Sequence, residues 1–204
     1  MTKPLEMAPG EPRYFGMYRN AVALKDPVTG EILGYEAQFV GKGELVRGES
    51  LEDTPNAKGG FTSEYVPATV DILSTREEVR ANDRLLPTPA RGFLSYVPRA
   101  PEQPVSARVV SIYGGSAFAN AAQNQVVAIN LGRQDGIESG HVLQLLTGGQ
   151  RIKDTTDEAK SMIKLPSEKN GMAMVFRTFD RVSYALILSV RNQVRVGDTL
   201  VNPR

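Results

Sequence analysis

Two related stretches of sequence decide the expected fold. Residues 72–86 read ILSTREEVRANDRLL, and residues 187–201 read ILSVRNQVRVGDTLV. They align without a gap, and eight of the fifteen positions are identical. In each stretch two apolar runs flank a polar middle, which predicts a strand, a turn and a closing strand. A repeat of this kind indicates that one structural unit occurs twice in the chain.

The residues in the middle of each repeat are of types that favour a tight turn. Asn82-Asp83 and Gly197-Asp198 stand between the apolar runs. Asn and Gly tolerate positive φ, and an Asp side chain accepts hydrogen bonds from nearby backbone amides. We therefore interpret Asp83 and Asp198 as turn residues, in preference to a pair of catalytic carboxylates.

Weaker matches extend the repeat upstream. Residues 30–40 resemble residues 136–146, and residues 43–47 resemble residues 171–177. The first match predicts that Gly34 and Gly140 are turn residues. It also makes Tyr35 the counterpart of His141. A half-buried packing role would explain both of these flat, amphipathic side chains.

The two halves differ ahead of these glycine turns. The second half has two apolar runs there, at residues 108–113 and 125–130, whereas the first half has one, at residues 13–24. We therefore expect the first unit to lack one strand. Its open edge would need cover from residues 1–11, from the other half or from another chain.

Short apolar runs separated by 19 glycines and 13 prolines predict an all-β fold with very little helix. The best helical candidate is residues 154–163, and residues 48–66 and 147–170 are interpreted as long surface loops. We expect two tandem small β-barrel or β-sandwich units, SH3-like or related, produced by internal duplication. The expected domains are residues 1–98 and 99–204, joined by a proline-rich connector.

Composition excludes several classes of function. Lys and Arg number 24 and Asp and Glu 23, so the net charge of +1 argues against a nucleic-acid partner. No stretch approaches the ~20 apolar residues of a membrane-spanning helix. The absence of Cys excludes thiol chemistry, and His141 is the single histidine. We expect no catalytic residue, no cofactor and no metal site.

The side chains that remain candidates for binding a partner are few. Arginines recur at equal positions of the two repeats, and they could pair with phosphates or with cell-wall carboxylates: Arg76, Arg80, Arg191 and Arg195. Tyr35 and His141 join them as low-ranking candidates, and ordinary ion pairs are the favoured reading of the arginines. A sugar-stacking platform from the aromatics of the first half is ranked below core or interface packing.

Five ordered blocks of sequence resemble one family. The blocks are residues 27–37 (PVTGEILGYEA), 83–87 (DRLLP), 97–101 (VPRAP), 109–115 (VVSIYGG) and 135–143 (DGIESGHVL). They are similar to the C-terminal region of LysM-containing peptidoglycan-binding proteins of β-proteobacteria. In that family a secretion signal and a LysM module precede this region, and no LysM module is visible in this chain. The resemblance implies an exported protein of the periplasm or cell envelope, and it supplies no catalytic residues.

Three hypotheses of function follow. The first is a non-catalytic envelope module, whose partner is peptidoglycan through a LysM module outside this chain, or an envelope protein. The second is a cell-wall hydrolase that acts through His141 or a carboxylate pair. The third is an oligomerisation or assembly module of an envelope complex, in which an open strand edge pairs between copies.

Overall fold

The computed structural model describes residues 11–55, 60–88, 96–114, 120–149, 151–154 and 161–203, together with Leu5 and Thr156. These residues form β-strands and turns, with a short 3-10 turn at Arg133–Asp135. The prediction of an all-β fold with very little helix is confirmed. The chain divides into two compact units: unit 1 holds residues 1–21 and 37–92, and unit 2 holds residues 22–36 and 93–204.

The first six strands lie wholly or partly in unit 1. They are β1 (Tyr14–Lys25), β2 (Ile32–Arg47), β3 (Ser50–Pro55), β4 (Phe61–Val66), β5 (Thr69–Thr75) and β6 (Arg84–Pro87). Four of them form one sheet in the order β5-β2-β1-β6, while β3 and β4 pair only with each other. Residues 22–25 of β1 and 32–36 of β2 belong to unit 2. The buried apolar side chains of unit 1 include Phe15, Met17, Val40 and Leu45.

The remaining strands belong to unit 2. They are β7 (Ser106–Ile112), β8 (Asn120–Ala121), β9 (Val126–Ile129), β10 (Val142–Thr147), β11 (Arg151–Lys153), β12 (Met162–Lys164), β13 (Glu168–Thr178), β14 (Ser183–Val190), β15 (Val194–Arg195) and β16 (Thr199–Val201). Six of them close a barrel in the order β10-β13-β14-β9-β7-β16. Alternate residues of these strands point inward and fill the interior with Val, Ile, Leu and Ala side chains.

The duplication extends to the pairing of individual residues. Strand β2 pairs with β5, and β13 pairs with β14, in the same register throughout residues 41–47 and 171–177. Both pairs carry two bulges at matching positions, the first after Lys42 and Met172, the second after Leu45 and Val175. Bulges bend and twist a strand, so two units that share them share their curvature. This matched segment therefore begins at Gly41 and Gly171, two residues earlier in the first half than the expected start at residue 43.

The first strand of each sheet shows which residues correspond. Strand β1 lies between β2 and β6, as β10 lies between β13 and β16. The amide of Leu45 donates to the carbonyl of Arg13 at 2.8 Å, and the amide of Val175 donates to the carbonyl of His141 at 2.8 Å. The counterpart of His141 is therefore Arg13, and the expected match between His141 and Tyr35 is wrong.

This correspondence changes the number of strands by which the units differ. The sheet of unit 1 repeats β10, β13, β14 and β16, and the described residues hold no counterpart of β7 or β9. The prediction that one strand is lacking rests on a match between residues 13–24 and the strand that precedes the glycine turn of the second half. That segment is the counterpart of β10, so the difference is two strands.

A hairpin from the first part of the chain is built into unit 2. Residues 22–36 lie on the outside of the barrel, where Leu24 and Leu33 pack with Val110, Ala128 and Val182. Asp26 accepts a hydrogen bond from Asn130 at 2.6 Å and also caps its own turn through the amide of Val28. These hydrogen bonds, with that from Asn130 contributing most, hold the pKa of Asp26 below its ordinary value. The hairpin is thus anchored by both apolar and polar contacts.

The two segments interpreted as loops contain hairpins instead. Residues 50–55 and 61–66 form the β3–β4 pair, and residues 151–153 and 162–164 form the β11–β12 pair. Cross-strand pairing satisfies the backbone of these polar segments, which the low apolar content of the sequence did not reveal. Met162 and Ile163 lie in β12, and half of the helical turn expected at residues 154–163 lies outside the described residues.

Candidate functional site

The predicted turn residues occupy the same local structure in both units. The carboxylate of Asp83 accepts from the amide of Arg80, and the carboxylate of Asp198 accepts from the amide of Arg195, both at 2.8 Å. Asn82 has φ of 75° and Gly197 has φ of 92°, so each turn places its central residue in the left-handed region. The conserved geometry makes these aspartates parts of a turn in each unit.

Asp83 differs from Asp198 in one respect. The guanidinium of Arg19 donates to both carboxylate oxygens of Asp83, at 2.7 and 2.6 Å. This bidentate pair is the main reason why the pKa of Asp83 lies below its ordinary value. Arg19 also donates to the carbonyl of Glu78 at 2.7 Å, so one side chain ties β1 to the repeated turn of unit 1.

The predicted turn glycines behave differently from each other. Gly140 has φ of 98° and is a turn residue. Gly34 lies within β2, and the positive φ of the nearby turn belongs to Gly30, at 74°. The reason is that the Asp26 side chain starts the turn at residue 26, so the chain has already turned before it reaches Gly34.

The four candidate arginines flank the repeated turn as one pair in each unit. In unit 1, Arg76 lies 5.8 Å from the ring centre of Phe39, and Arg80 pairs with Glu78 at 3.1 Å. In unit 2, Arg195 donates to Asn120 at 3.1 Å, and Arg191 borders a shallow depression. The structure therefore gives each of the four arginines a different set of neighbours. Each pair is exposed to solvent.

His141 and Tyr35 occupy opposite environments. The side chain of His141 is buried, at 5% exposure, whereas Tyr35 is 69% exposed. Nδ1 of His141 accepts a hydrogen bond from the amide of Glu138 at 3.2 Å. Burial, and then the positive charge of Arg99, lower the pKa of His141 below its ordinary value of 6.5. A neutral His141 therefore serves the turn that leads into β10.

The depression beside Arg191 has a volume of about 310 Å³ and lies between β10, β13 and β14. Two of its lining side chains are polar and buried, Asn170 at 3% exposure and Gln144 at 8%. Asn170 donates to the carbonyl of Asn192 at 2.9 Å and accepts from the amide of Asn192 at 2.7 Å. Both functional atoms of the Asn170 amide are engaged in fixing the β14–β15 turn, which gives this buried side chain a structural role.

A different surface stands out once the two units are compared. Ile72 of β5 and Ile187 of β14 are counterparts in sequence and register, yet Ile72 is 54% exposed and Ile187 is fully buried. On the other edge strand, Leu86 of β6 is 52% exposed. We call β5 and β6, with the inner face of the sheet between them, the open edges of unit 1. Their backbone groups face away from the sheet, as at any sheet edge.

The β3–β4 hairpin adds further exposed apolar area to unit 1. Leu51 stands opposite Tyr65, and Pro55 stands opposite Phe61, so these four side chains share one face. Leu51, Tyr65 and Phe61 are between 61% and 74% exposed. Between the two apolar pairs, Ser63 donates a hydrogen bond to Asp53 on the same face.

The aromatic side chains of the first half do not form one platform. Phe15 is buried, and Tyr18 meets Phe39 edge to face with ring centres 5.6 Å apart. The exposed aromatics are dispersed over β1, β2 and the β3–β4 hairpin: Tyr14, Tyr35, Phe61 and Tyr65.

The sequence predicted an open edge in the first unit but did not place it on β5 and β6, and the cause is visible. Ile72 and Ile187 are the same residue in the same motif, so nothing local distinguishes a buried one from an exposed one. The available signal was the number of strands ahead of each repeat, which depends on the correct alignment of β1 with β10.

Within the described residues, no three His, Asp or Glu side chains are grouped as ligands for a metal ion. The described part of the chain also contains no helix long and apolar enough to cross a membrane. A scan of family models and a search of curated proteins gave no match to this chain.

Proposed function

We propose that this chain is a non-catalytic cell-envelope module of a LysM-type peptidoglycan-binding protein, in which it acts as a scaffold that binds a protein partner. Peptidoglycan would be contacted by a LysM module outside this chain. The five sequence blocks that resemble this family support the location. The contrast between exposed Ile72 and buried Ile187 supports the binding role, because a copied strand that leaves its inward residue exposed offers area for a partner.

The contribution of this chain to glycan binding is tested by co-sedimentation with peptidoglycan sacculi. The chain alone is compared with the same chain fused to a LysM module. We expect the fusion to sediment and the chain alone to stay in the supernatant. Equal sedimentation of the two would overturn the claim that peptidoglycan is bound by the LysM module.

The binding role is tested by site-specific photocrosslinking in exported protein. A photoreactive amino acid replaces Leu73 on β5 or its repeat counterpart Leu188 on β14, which are 54% and 38% exposed. We expect adducts with a distinct envelope protein from position 73 and not from position 188. Equal patterns from the two positions would contradict a partner that binds at the open edges.

An assembly module remains a second candidate, and the open edges also support it. Edge strands of two copies could pair with each other, in which case the adduct at position 73 would be a dimer of this chain. Light scattering over a range of concentrations separates the two candidates. A monomer at high concentration contradicts the assembly module and leaves the partner-binding scaffold.

A further inference from the structure

The barrel of unit 2 shows how the sheet shared by both units is completed. Strand β9 pairs with β14, with Val127 opposite Ala185. Strand β7 pairs with β16, with Ala107 opposite Leu200, and β7 and β9 also pair with each other. Two antiparallel strands therefore bridge the two edges of a four-stranded sheet and close the barrel.

The same two edges exist in unit 1. The repeat places Val70 of β5 at the position of Ala185, and Leu85 of β6 at the position of Leu200. On the other side of each strand the pairing is already the same, because β5 pairs with β2 as β14 pairs with β13. Antiparallel strands added outside residues 68–71 and 84–86 would thus meet backbone in the register that β9 and β7 meet.

The inner face of unit 1 has the exposure that this incompleteness predicts. Ala185, Ile187 and Leu200 of unit 2 are fully buried. Their counterparts are less covered: Val70 and Leu85 are half-buried, and Ile72 is 54% exposed. Unit 1 has the apolar residues that a barrel interior needs, but its described residues provide no strands that cover them.

We propose that unit 1 accepts two antiparallel β-strands from another polypeptide, one along β5 and one along β6, and so closes a six-stranded barrel like that of unit 2. This inference rests on the proposed partner-binding role and names the kind of partner. Main-chain hydrogen bonds to both edges would supply affinity, and inward side chains would supply specificity. By analogy with unit 2, a small residue would face Leu85 and a Val-sized residue would face Val70.

The two hairpins of a second copy that lie outside the four-stranded sheet and the barrel, β3–β4 and β11–β12, are poor donors of these strands. The β3–β4 hairpin has the right number of strands, but its apolar face carries Asp53 and Ser63 between the two apolar pairs. Insertion into a barrel would place that carboxylate in the interior, and burial of a charge without an ionic partner is strongly unfavourable. Strands β11 and β12 have three residues each. A partner with uninterrupted apolar alternation fits the open edges better.

The test is a graft that uses the chain's own closing strands. A second copy of residues 104–140, which contain β7 and β9, replaces residues 1–12 and leads directly into Arg13, the counterpart of His141. The control graft carries Asp in place of Val109 and Val127 in the added copy only. Both grafts leave the original unit 2 unchanged.

Amide hydrogen exchange is measured over β5 and β6. We expect the graft to slow exchange of the edge amides by about tenfold or more, and the control graft to leave it as in the parent chain. Equal exchange in graft, control and parent would overturn the proposal. Protection of β5 in the parent that rises with its concentration would also overturn it, because a second copy would then be the occupant.

A second measurement serves if the graft does not fold. A synthetic peptide of residues 104–131 is added to the intact parent chain, and exchange is followed over the same strands. Protection of β5 and β6 supports the proposal, and no protection at saturating peptide contradicts it. Neither experiment involves peptidoglycan or the envelope, so the strand-acceptor role and the proposed location fail independently.

Discussion

At the scale of single residues, the repeated turn shows two solutions to one backbone requirement. Asn82 and Gly197 both take positive φ, while the following Asp accepts from the amide three residues back. Gly adopts this region without steric cost, and Asn adopts it more readily than other residues. The requirement for positive φ therefore explains why Asn82 and Gly197 occupy this position of the turn.

This choice predicts the effect of substitutions at Gly197. Gly197→Asn should change the free energy of unfolding by less than about 1 kcal/mol, because the repeat already uses Asn at φ of 75°. Gly197→Val should cost more, about 1–3 kcal/mol, because a β-branched side chain is strained at positive φ. Thermal unfolding of the two variants measures the difference, and equal melting temperatures would contradict the strain argument.

The single histidine makes a second prediction. We expect the pKa of His141 to lie below 6.5, because burial disfavours the imidazolium and Nδ1 accepts from the amide of Glu138. As the pH falls, the imidazole of His141 is therefore protonated in the unfolded chain at a higher pH than in the folded chain. Stability from this residue is complete above pH 6.5 and declines as the pH falls from 6.5 towards the folded pKa.

NMR titration of the imidazole measures this pKa directly, since His141 is the one histidine in the chain. A value at or above 6.5 would contradict the proposed environment. A matching stability measurement compares the parent with His141→Asn between pH 7 and pH 5. The parent should lose stability over this range by more than the variant does.

Residue-scale reasoning from sequence succeeded where the physics was local. The Asn-Asp and Gly-Asp turns follow from backbone preference and a short-range hydrogen bond, so they could be predicted. The environments of Tyr35 and His141 depend on which strand lies beside which, and a weak match of glycines gave the wrong counterpart. The pairing of Arg19 with Asp83 spans 64 positions and has no local signal.

At the scale of strands, the matched bulges fix which residues of β5 and β14 point inward. An apolar residue stabilises the fold in proportion to the area that it buries. Two counterparts with different burial should therefore contribute differently to the free energy of unfolding. Ile187 packs in the barrel interior with Ala173 and Leu200. Ile72 has the same inward register in unit 1 and remains 54% exposed.

A pair of substitutions tests this asymmetry. Ile187→Ala should destabilise unit 2 by about 2–5 kcal/mol, because it leaves a cavity in a fully packed interior. Ile72→Ala should cost unit 1 less than about 1 kcal/mol, because an exposed side chain leaves no cavity. Urea unfolding followed by hydrogen exchange reports on each unit, and similar losses in the two variants would show that Ile72 is covered in solution.

Each bulged strand pair also requires a glycine beside its first bulge. A Cβ atom at Gly41 or Gly171 would overlap the carbonyl oxygen of Ser74 or Ser189, respectively. Glycine is thus required at the same point of both pairs, where the neighbouring backbone approaches closely. The sequence contained this signal, but the alignment that began at residue 43 did not use it.

Strand content could be predicted better than strand partnership. Apolar alternation and turn residues located most strands of the barrel, because both are properties of a short segment. The β3–β4 and β11–β12 hairpins were interpreted as loops, since their residues are polar and their stabilising pairs lie across a turn. The position of residues 22–36 on the barrel of unit 2 depends on contacts with residues about 75 to 160 positions away.

At the scale of the whole molecule, the two units are interleaved along the chain. The chain passes from unit 1 to unit 2 after residue 21, returns after residue 36 and leaves again after residue 92. Glu36 accepts hydrogen bonds from Ser111 at 3.2 Å and from Tyr184 at 3.0 Å. Burial, and then the Glu36 carboxylate, raise the pKa of the Tyr184 hydroxyl. The hairpin thus has a polar as well as an apolar attachment to the barrel.

This interleaving predicts the behaviour of a truncated chain. The fragment 99–204, which corresponds to the second domain expected from sequence, lacks the hairpin and would expose Val110, Ala128 and Val182. We expect it to melt at a lower temperature than unit 2 in the full chain and to bind a hydrophobic dye. A matched pair of substitutions in the full chain separates the cause from truncation itself.

In that pair, Leu24→Ala removes a side chain with 5% exposure, and Val22→Ala changes a neighbour with 59% exposure. We expect the Leu24 variant to lose about 2–4 kcal/mol and the Val22 variant to lose little. A fragment 99–204 as stable as the full chain, together with a neutral Leu24 variant, would show that the hairpin contributes nothing to the barrel.

The hairpin of residues 22–36 also determines the order in which a growing chain can bury its surfaces. The ribosome makes Leu24 and Leu33 before any strand of the barrel, and Val182 of the same cluster comes near the end of synthesis. The apolar cluster around the two leucines is therefore incomplete until translation has nearly ended. Maturation of the second unit consequently cannot be completed on the first half of the nascent chain, whatever the speed of its local folding.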